Sequence, residues 1–412
     1  MDLIGLPCAA FVAAVALAVA LPLPAPAKRA LLLAANGAFL WFFDPLAPLL
    51  FLATSLVGYG AARLAARGAG AFTLLLTCLP LALPLFLPKL PMFGGAAAVD
   101  ATGAAAGAAA AAAGDVANVV GARMAMFIGA SYITLRALHV VLDARRTRRV
   151  HFGLFDFLVY NSFFPTIVAG PIERADHFAR SFDRLGRPSA ADLRAGVTRL
   201  FTGLFKKVVL GGIALQWAAP ITGFESGDAL SAGQGWLALY AIALYAYFDF
   251  AGYSDMALGV GRLMGLRLAE NFDNPYLRPS IAEFWRGWHL SLSYWIRDYL
   301  FLPMCGRSAS ALRPHLAAIL SMALCGLWHA PNPGWVLWGV AHGAGLSVHQ
   351  AWTVWLRKRF ALKKRLAKSV PVRVVATLLT FHFVALTWVL VSIDPWDLAP
   401  AWAYLQRLFG AG

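Results

Sequence analysis

Charged residues are scarce in this sequence. Asp, Glu, Lys and Arg together make up 13% of its 412 residues, whereas hydrophobic residues make up 60%. A typical soluble domain has about 25% charged and roughly 45–50% apolar residues. A soluble fold of this size would lack the polar groups to cover its surface. The composition therefore predicts an all-α polytopic membrane protein that folds as one membrane-embedded bundle.

Several catalytic signatures are missing as well. The sequence contains no HExxH segment, no GxxxxGK[ST] loop and no GxSxG elbow, which argues against zinc proteases, P-loop NTPases and α/β-hydrolases. The cysteines Cys8, Cys78, Cys305 and Cys325 form no CxxC pair, and we interpret them as small buried residues. We expect no bound metal or cofactor.

Acidic residues are outnumbered, 20 against 35 Lys and Arg, which gives a net charge of +15. The basic residues fall in short clusters between apolar runs, as in the cytoplasmic loops of membrane proteins, so we expect no nucleic-acid partner. The chain begins without Lys or Arg, and we place that end outside. The clusters expected inside are Lys28/Arg29, Arg63/Arg67, Arg145–Arg149 and residues 357–368.

Long apolar runs are the dominant feature of the chain, and a membrane-spanning helix needs about 20 such residues. The candidate spans are residues 3–21, 30–43, 45–62, 71–88, 119–142, 197–218, 235–253, 315–330, 334–356 and 371–393. The first run resembles a signal peptide but lacks a basic n-region, so we interpret it as a retained helix. Shorter pieces at 152–169 and 284–302 are predicted to be re-entrant or interfacial.

Two carboxylates, Asp249 and Asp255, lie at the end of one apolar run. Charged groups in membrane segments are costly and mark either function or a buried ion pair. We favour an ion pair, and we expect these carboxylates to bind Arg262 or Arg267 and brace the bundle.

The segment from Phe284 to Asp298 alternates tryptophans with polar residues. Tryptophans at the headgroup level and snorkelling arginines are typical of an interfacial amphipathic helix. That interpretation accounts for the Trp and Arg residues but less readily for His289 and Asp298. Both an interfacial helix and a functional segment therefore remain open.

His329 ends the apolar segment that starts near Ala317. Ionisable residues inside a membrane are functional by default, and histidine is the side chain best suited to act as a base near neutral pH. We therefore predict a functional role for His329. His342 lies among small residues, and we predict that it packs within a helix interface.

The runs Phe248–Met304 and Gly326–His329 resemble the membrane-bound O-acyltransferase (MBOAT) family. Within it, they resemble the bacterial branch of alginate O-acetylases and D-alanyl transfer proteins. Similar stretches at Ile128–Asp143, Phe164–Arg174 and Trp335–Gly345 extend the resemblance over residues 120–350. It implies about ten transmembrane helices around a central tunnel, with re-entrant and interfacial helices, in the bacterial inner membrane. The implied divisions are N-terminal transmembrane helices (1–93), an Ala/Gly-rich loop (94–117), an acyltransferase core (118–356), and a basic loop with a C-terminal helix (357–412).

The resemblance also implies roles for individual residues. His329 is expected to be catalytic and to deprotonate the acceptor hydroxyl, and His289, also assigned to catalysis, is expected at the inner mouth of the tunnel. We further predict that the substrate is bound by Asn271, Asp273, Arg286, Trp288, Arg297 and Trp328. Two positions depart from the family pattern: Ala330 follows the catalytic histidine in place of glycine, and His139 stands where an aromatic residue is usual.

The implied reaction moves an acetyl or D-alanyl group from a cytoplasmic thioester, acetyl-CoA or an acyl-carrier protein, toward hydroxyls of an extracytoplasmic polysaccharide or cell-wall polymer. The expected partners are that donor or carrier, a periplasmic or extracellular acyltransferase, and membrane lipid. One alternative is a non-catalytic conduit or transporter subunit that serves a periplasmic transferase. A lipid-modifying acyltransferase is another.

Overall fold

All regular secondary structure in the part of the chain that the structure describes is helical, and no strand occurs there. The computed structural model describes residues 5–43, 45, 47–86, 115–225, 230–306 and 310–410. The helices are α1 (Leu6–Ala20), α2 (Ala25–Phe43), α3 (Ala47–Ala66), α4 (Ala71–Phe86), α5 (Asp115–Thr147), α6 (Leu154–Ser162), α7 (Phe164–Ile167), α8 (Ala175–Ser181), α9 (Ala190–Thr222), α10 (Ala232–Leu263), α11 (Ile281–Trp285), α12 (Leu290–Ile296), α13 (Arg313–His329), α14 (Pro333–Arg357), α15 (Phe360–Lys368), α16 (Val370–Ser392) and α17 (Leu398–Leu408).

Each of the ten apolar runs overlaps one of these helices, so the all-helical prediction is confirmed. Among the described residues, α3, α9 and α16 are long and apolar enough to cross a membrane. Large apolar side chains such as Phe201 and Leu379 stay about two-thirds exposed, as expected for helices that face lipid rather than water. The ten-span count remains a prediction, and most of the Ala/Gly-rich loop lies outside the described residues.

The two short apolar pieces are interrupted helices. Residues 152–169 form α6 and α7, which are separated at Phe163 just before Pro165. Residues 284–302 contain the end of α11 and then α12, which continues into a π-helical turn at Arg297–Phe301. Neither piece is long enough to span a bilayer as one continuous helix, so these breaks agree with the re-entrant or interfacial interpretation.

The chain divides into two compact units, residues 1–205 with 252–270, and residues 206–251 with 271–412. In the first unit, the fully buried Arg136 of α5 organises the interrupted segment after α6. Its guanidinium donates to the Thr166 carbonyl at 2.9 Å, the Thr166 hydroxyl at 2.6 Å and the Pro171 carbonyl at 3.2 Å. Buried carbonyls that leave a helix need such donors.

Candidate active site

In the second unit, α13 and α14 form a tight antiparallel hairpin whose close approach depends on glycine. A Cβ on Gly326 would overlap the Trp335 carbonyl, lying 2.8 Å from its carbon, and a Cβ on Gly339 would lie 2.8 Å from the Met322 carbonyl carbon. A Cβ on Gly343 would lie 2.5 Å from the Ile319 Cα. Small residues at such positions let helix backbones touch inside a membrane. The residues at the end of α13 are therefore held against the start of α14.

His329 is the last residue of α13, and the chain turns immediately after it. Ala330 is extended, and the Asn332 side chain accepts a hydrogen bond from the Trp335 amide at 2.9 Å, which caps α14. An Asn cap followed by proline is a strong start signal for a helix. The turn thus places the Trp335 indole directly over the His329 imidazole.

Three tryptophans surround the His329 ring. Trp335 stacks on it with centroids 4.4 Å apart and an interplanar angle of 16°, while Trp328 and Trp338 meet it edge-on at 4.7 and 5.7 Å. His329 itself is only partly buried. The imidazole therefore has fixed walls on several sides and remains accessible. A cation on this ring would lie against the face of an indole, which stabilises it.

His342, one helix away, has a different environment. It is fully buried, its Nδ1 accepts from the Trp285 indole at 3.3 Å, and its Nε2 lies 3.0 Å from the Thr387 hydroxyl. An acceptor Nδ1 leaves the proton on Nε2, which then donates to Thr387. Both ring nitrogens are engaged by core residues, which agrees with the packing role predicted for His342.

His289 lies in a loop that the chain folds sharply. It adopts a left-handed backbone conformation with φ of 43°, precedes α12, and is 2% exposed. Its ring meets Phe250 edge-on at 4.7 Å. A positive φ on a residue other than glycine is uncommon and persists where its surroundings enforce it.

Asn271 helps to hold His289 in this backbone conformation. Its backbone carbonyl accepts from the Leu290 amide at 2.9 Å, and its side-chain oxygen accepts from the Ser291 amide at 3.2 Å and the Ser291 hydroxyl at 2.8 Å. These bonds satisfy amides at the start of α12. Asn271 therefore holds the segment that carries His289 in place, which is a positioning role beside the substrate contact that we predicted for it.

Asp273 and Trp288 lie in the same loop system but in different surroundings. Asp273 forms an ion pair with Arg278, and its side chain is 57% exposed. Trp288 is buried, where it meets Phe272 at 5.3 Å and stacks on Phe284 at 5.6 Å. These contacts account for both side chains structurally, and their predicted roles in substrate binding remain predictions.

Arg286 and Arg297 line one cavity of about 430 Å³ in the second unit. Both residues are exposed, and Arg297 also donates to Asp298 at 2.8 Å and lies 4.8 Å from the Tyr294 ring. The cavity wall also includes Trp285, Ile296, Ser293, Met322, Leu346 and His349. The structure thus combines two cations with an apolar interior, a combination that fits an amphiphilic anion.

An aromatic series leads from this cavity to His329. Trp285 lines the cavity and meets Trp338 edge-on at 5.9 Å, and Trp338 in turn meets His329 at 5.7 Å. The sequence analysis did not single out Trp335 and Trp338 as members of the site. The sequence nevertheless contained a signal for them. Trp335 and Trp338 directly follow the turn after His329, and residues three apart share a helix face.

The bracing predicted for Asp249 and Asp255 is confirmed, but the predicted arginine partners are wrong. Asp255 pairs with Arg199, and Asp249 pairs with Lys207. Both partners lie on α9. Arg262 and Arg267 instead bind Asp192 near the start of α9. The capping-box spacing of Ser189 and Asp192 predicts the helix start, whereas the arginine partners depend on how distant segments pack.

The site also lies within a region that is similar in sequence to known proteins. Residues 125–393 match the sequence model of "MBOAT, membrane-bound O-acyltransferase family". The chain is 34% identical to "Probable alginate O-acetylase AlgI" of Pseudomonas aeruginosa over 291 residues, 69% of this chain and 52% of that protein. It is 34% identical to the peptidoglycan O-acetyltransferase of Helicobacter pylori over 237 residues, 57% of this chain and 43% of that protein.

A third relative, the teichoic acid D-alanyltransferase of Bacillus subtilis, is 29% identical over 283 residues, 65% of this chain and 69% of that protein. The chain spans about half the length of the alginate O-acetylases that it matches. The matched region contains His289, His329 and both arginines of the cavity.

Proposed function

Because the chain belongs to the membrane-bound O-acyltransferase family, we propose that it transfers an acyl group from a cytoplasmic thioester to a hydroxyl of an extracytoplasmic polymer. The observation that carries the proposal is His329, a partly accessible imidazole at a helix end with Trp335 stacked 4.4 Å from it. A base placed in this way deprotonates a hydroxyl where bulk water is largely excluded.

In the proposed reaction, each bond formed and each proton moved is accounted for. The acceptor hydroxyl gives its proton to His329 as its oxygen attacks the thioester carbonyl carbon, so that a C–O bond forms and the C–S bond breaks. The imidazolium then returns the proton to the departing thiolate. Trp335 stabilises the imidazolium between these steps, because a cation over an indole face is favoured by about 0.5–2 kcal/mol.

The donor is acetyl-CoA or an acyl-carrier protein, and both present the thioester on a phosphorylated arm. Two guanidiniums recognise phosphate oxygens well, and Arg286 and Arg297 line the same cavity. Trp285 and Trp338 connect this cavity to His329, so the proposed path of the acyl group runs along these indoles. His289 supports the donor side of that path, where Asn271 holds its loop in place.

The same proposal includes the wider cellular setting. The protein lies in the bacterial inner membrane with about ten spans, and a tunnel lets the acyl group cross from a cytoplasmic donor to an outside acceptor or a periplasmic transferase. Acetyl and D-alanyl remain the two candidate groups, since the relatives named above include transferases of both kinds.

The test compares His329→Ala with His151→Ala, since His151 is exposed and lies outside the site. Polymer-bound acyl groups are released by mild alkali from cells that carry equal amounts of each protein and are then quantified. We expect His329→Ala to lose essentially all product and His151→Ala to retain it. Undiminished acylation by the His329 variant would remove this residue from the chemistry and favour a non-catalytic conduit.

A further inference from the structure

A group of arginines surrounds one carboxylate near the start of α9. Asp192, 2% exposed, accepts from Arg262 at 3.0 Å, Arg267 at 3.3 Å and Arg184 at 3.4 Å. It also accepts from the Ser189 hydroxyl at 2.7 Å. Three guanidiniums and one carboxylate leave two positive charges. Within the described residues, the guanidiniums of these arginines donate hydrogen bonds only to Asp192. Each guanidinium has five N–H donors, so most of these donors are left to solvent or a ligand.

The surrounding segment adds to this positive charge. Residues 183–194 contain Arg184, Arg187 and Arg194 against Asp183 and Asp192. With Arg262 and Arg267 the total is five positive and two negative residues, a balance of +3. The side chains of Arg184, Arg262 and Arg267 are 45%, 31% and 50% exposed. The excess charge is therefore available at the surface of the first unit.

An apolar groove of about 290 Å³ is lined by α9, by α10 and by residues of α1. Leu200 and Leu204 line it from α9, and Tyr253, Val260 and Leu263 line it from α10. The Tyr253 hydroxyl is already engaged, because it donates to the carbonyl of Pro165, another lining residue, at 3.3 Å. The groove thus offers a lining for a hydrocarbon and hardly any polar contact.

The helical register connects the arginine group to the groove. Asp192, Gly196, Leu200 and Leu204 follow at intervals of four on α9 and therefore share one face. A helix rises 1.5 Å per residue, so Asp192 lies roughly 12 Å along the axis from Leu200. On α10, Leu263 at the end of the groove directly follows Arg262. The charged group and the apolar groove are therefore neighbours along α9 and α10, with Gly196 packed against Leu263 between them.

The position of α9 indicates what fills this surface. The helix is one of the candidate spans and begins at Ala190. Its first turns contain Asp192, Arg194 and Arg199, and Leu200 begins the part that is poor enough in charge to cross a membrane. In a bilayer, this order puts Asp192 on the headgroup side of the groove and the groove toward hydrocarbon depth. An apolar cleft at that depth meets lipid chains, and basic residues at the interface attract anionic headgroups. A zwitterionic headgroup brings its own cation toward the arginines, which makes it a poorer match.

We infer that the first unit binds an anionic phospholipid, with its phosphate on Arg184, Arg262 and Arg267 and one acyl chain in the groove beside Leu200 and Val260. A phosphodiester matches guanidinium geometry. The acyl chain in the groove exchanges its loose contacts with bulk lipid for contacts with the groove wall. The bound lipid joins α9 to α10 at the interface. The lining of this groove shares no residue with the cavity that contains Arg286 and Arg297.

The experiment uses the full chain, purified and delipidated in detergent, and titrates it with phosphatidylglycerol or with phosphatidylcholine of identical acyl chains. Native mass spectrometry measures each apparent dissociation constant. Inorganic phosphate, which has no acyl chain, is titrated in the same way to test the arginines alone. We expect phosphatidylglycerol to bind about tenfold or more tighter than phosphatidylcholine, and phosphate alone to give no stable adduct. Equal affinity for the two lipids, or binding of phosphate alone as tight as that of phosphatidylglycerol, overturns the inference.

Two variants localise the binding. Arg267→Gln removes the most exposed arginine while Arg184 and Arg262 still satisfy Asp192, and it should weaken phosphatidylglycerol binding about tenfold. Arg180→Gln is the matched control, because it also removes one exposed arginine paired to a single aspartate, Asp176. Unchanged lipid affinity in Arg267→Gln, or the same loss in Arg180→Gln, contradicts the site.

A third variant tests the groove itself. Ala257 lines the groove and is 4% exposed. A phenylalanine at this position should fill the groove, so Ala257→Phe should weaken binding of the intact lipid without removing any arginine. If the phenylalanine prevents folding, Ala257→Val narrows the same space. Full affinity in a folded groove variant would show that the acyl chain lies elsewhere and would refute the inference.

Discussion

Replacing Gly326 with alanine adds one methyl group at the closest approach of α13 and α14. The new Cβ would overlap the Trp335 carbonyl and lie 2.8 Å from its carbon, a separation that real Cβ atoms essentially never show. The obstacle is backbone rather than a flexible side chain. The hairpin must therefore open at the level of His329, three residues further along α13.

The magnitude follows from this geometry. Relief of the overlap requires a backbone shift on the order of 1 Å, and overpacking of this kind destabilises a fold by about 1–3 kcal/mol. A 1 Å misplacement of a catalytic group lowers a rate by roughly 100-fold. Because Trp335 carries both the obstructing carbonyl and the ring stacked on His329, the shift separates the imidazole from its indole.

Two measurements test this reasoning, the thermal unfolding temperature in detergent and the alkali-labile acyl content of the polymer. Gly37→Ala is the matched control, because a Cβ there meets nothing within 4 Å and alanine is favoured over glycine in a helix by about 1 kcal/mol. We expect Gly326→Ala to lower both quantities and Gly37→Ala to lower neither. A Gly326→Ala protein with native stability and acylation would refute the packing argument.

Three further predictions concern other side chains. Trp335→Ala should lower the acylation rate about tenfold with little change in protein level, because it removes a cation–π contact of about 1.4 kcal/mol, whereas Trp335→Phe should retain most activity. Arg286→Gln and Arg297→Gln should each raise the KM for a phosphorylated thioester donor more than they lower kcat, as steady-state kinetics with acetyl-CoA or a loaded carrier protein would show. The Glu173 carboxylate accepts a hydrogen bond from His177 at 2.8 Å and raises the pKa of that histidine. A raised folded pKa stabilises the protein below the unfolded pKa of about 6.5 and loses this effect as pH rises through the folded value. The unfolding temperature should therefore fall with increasing pH above about 6.5 more steeply than in Glu173→Gln, and parallel curves would contradict this assignment.

Much of the fold was predictable because it depends on local composition. Apolar runs of suitable length form helices wherever their backbone groups must be satisfied within the segment, and each predicted run overlaps a helix. The end of α13 at His329 was also predictable, since Pro331 and Pro333 follow within four residues and proline cannot continue a helix. The interruption near Pro165 follows from the same chemistry.

The candidate site was only partly predictable. Its histidines and arginines were recognisable from motifs, but the ring that stacks on His329 comes from α14, and the cavity that contains Arg286 and Arg297 needs walls from α13 and α14. Likewise, the sequence indicated that Asp249 and Asp255 would be paired but not that α9 supplies the partners.

By itself, the sequence determined that this protein is helical and rich in membrane-compatible segments, and that a histidine ends one of them. Only the tertiary structure decided which indoles surround His329, which nitrogens of His342 are engaged, and that three arginines share Asp192. The physical reason is that helix formation depends on bonds within a segment, whereas these ring contacts and ion pairs depend on how one helix packs against another.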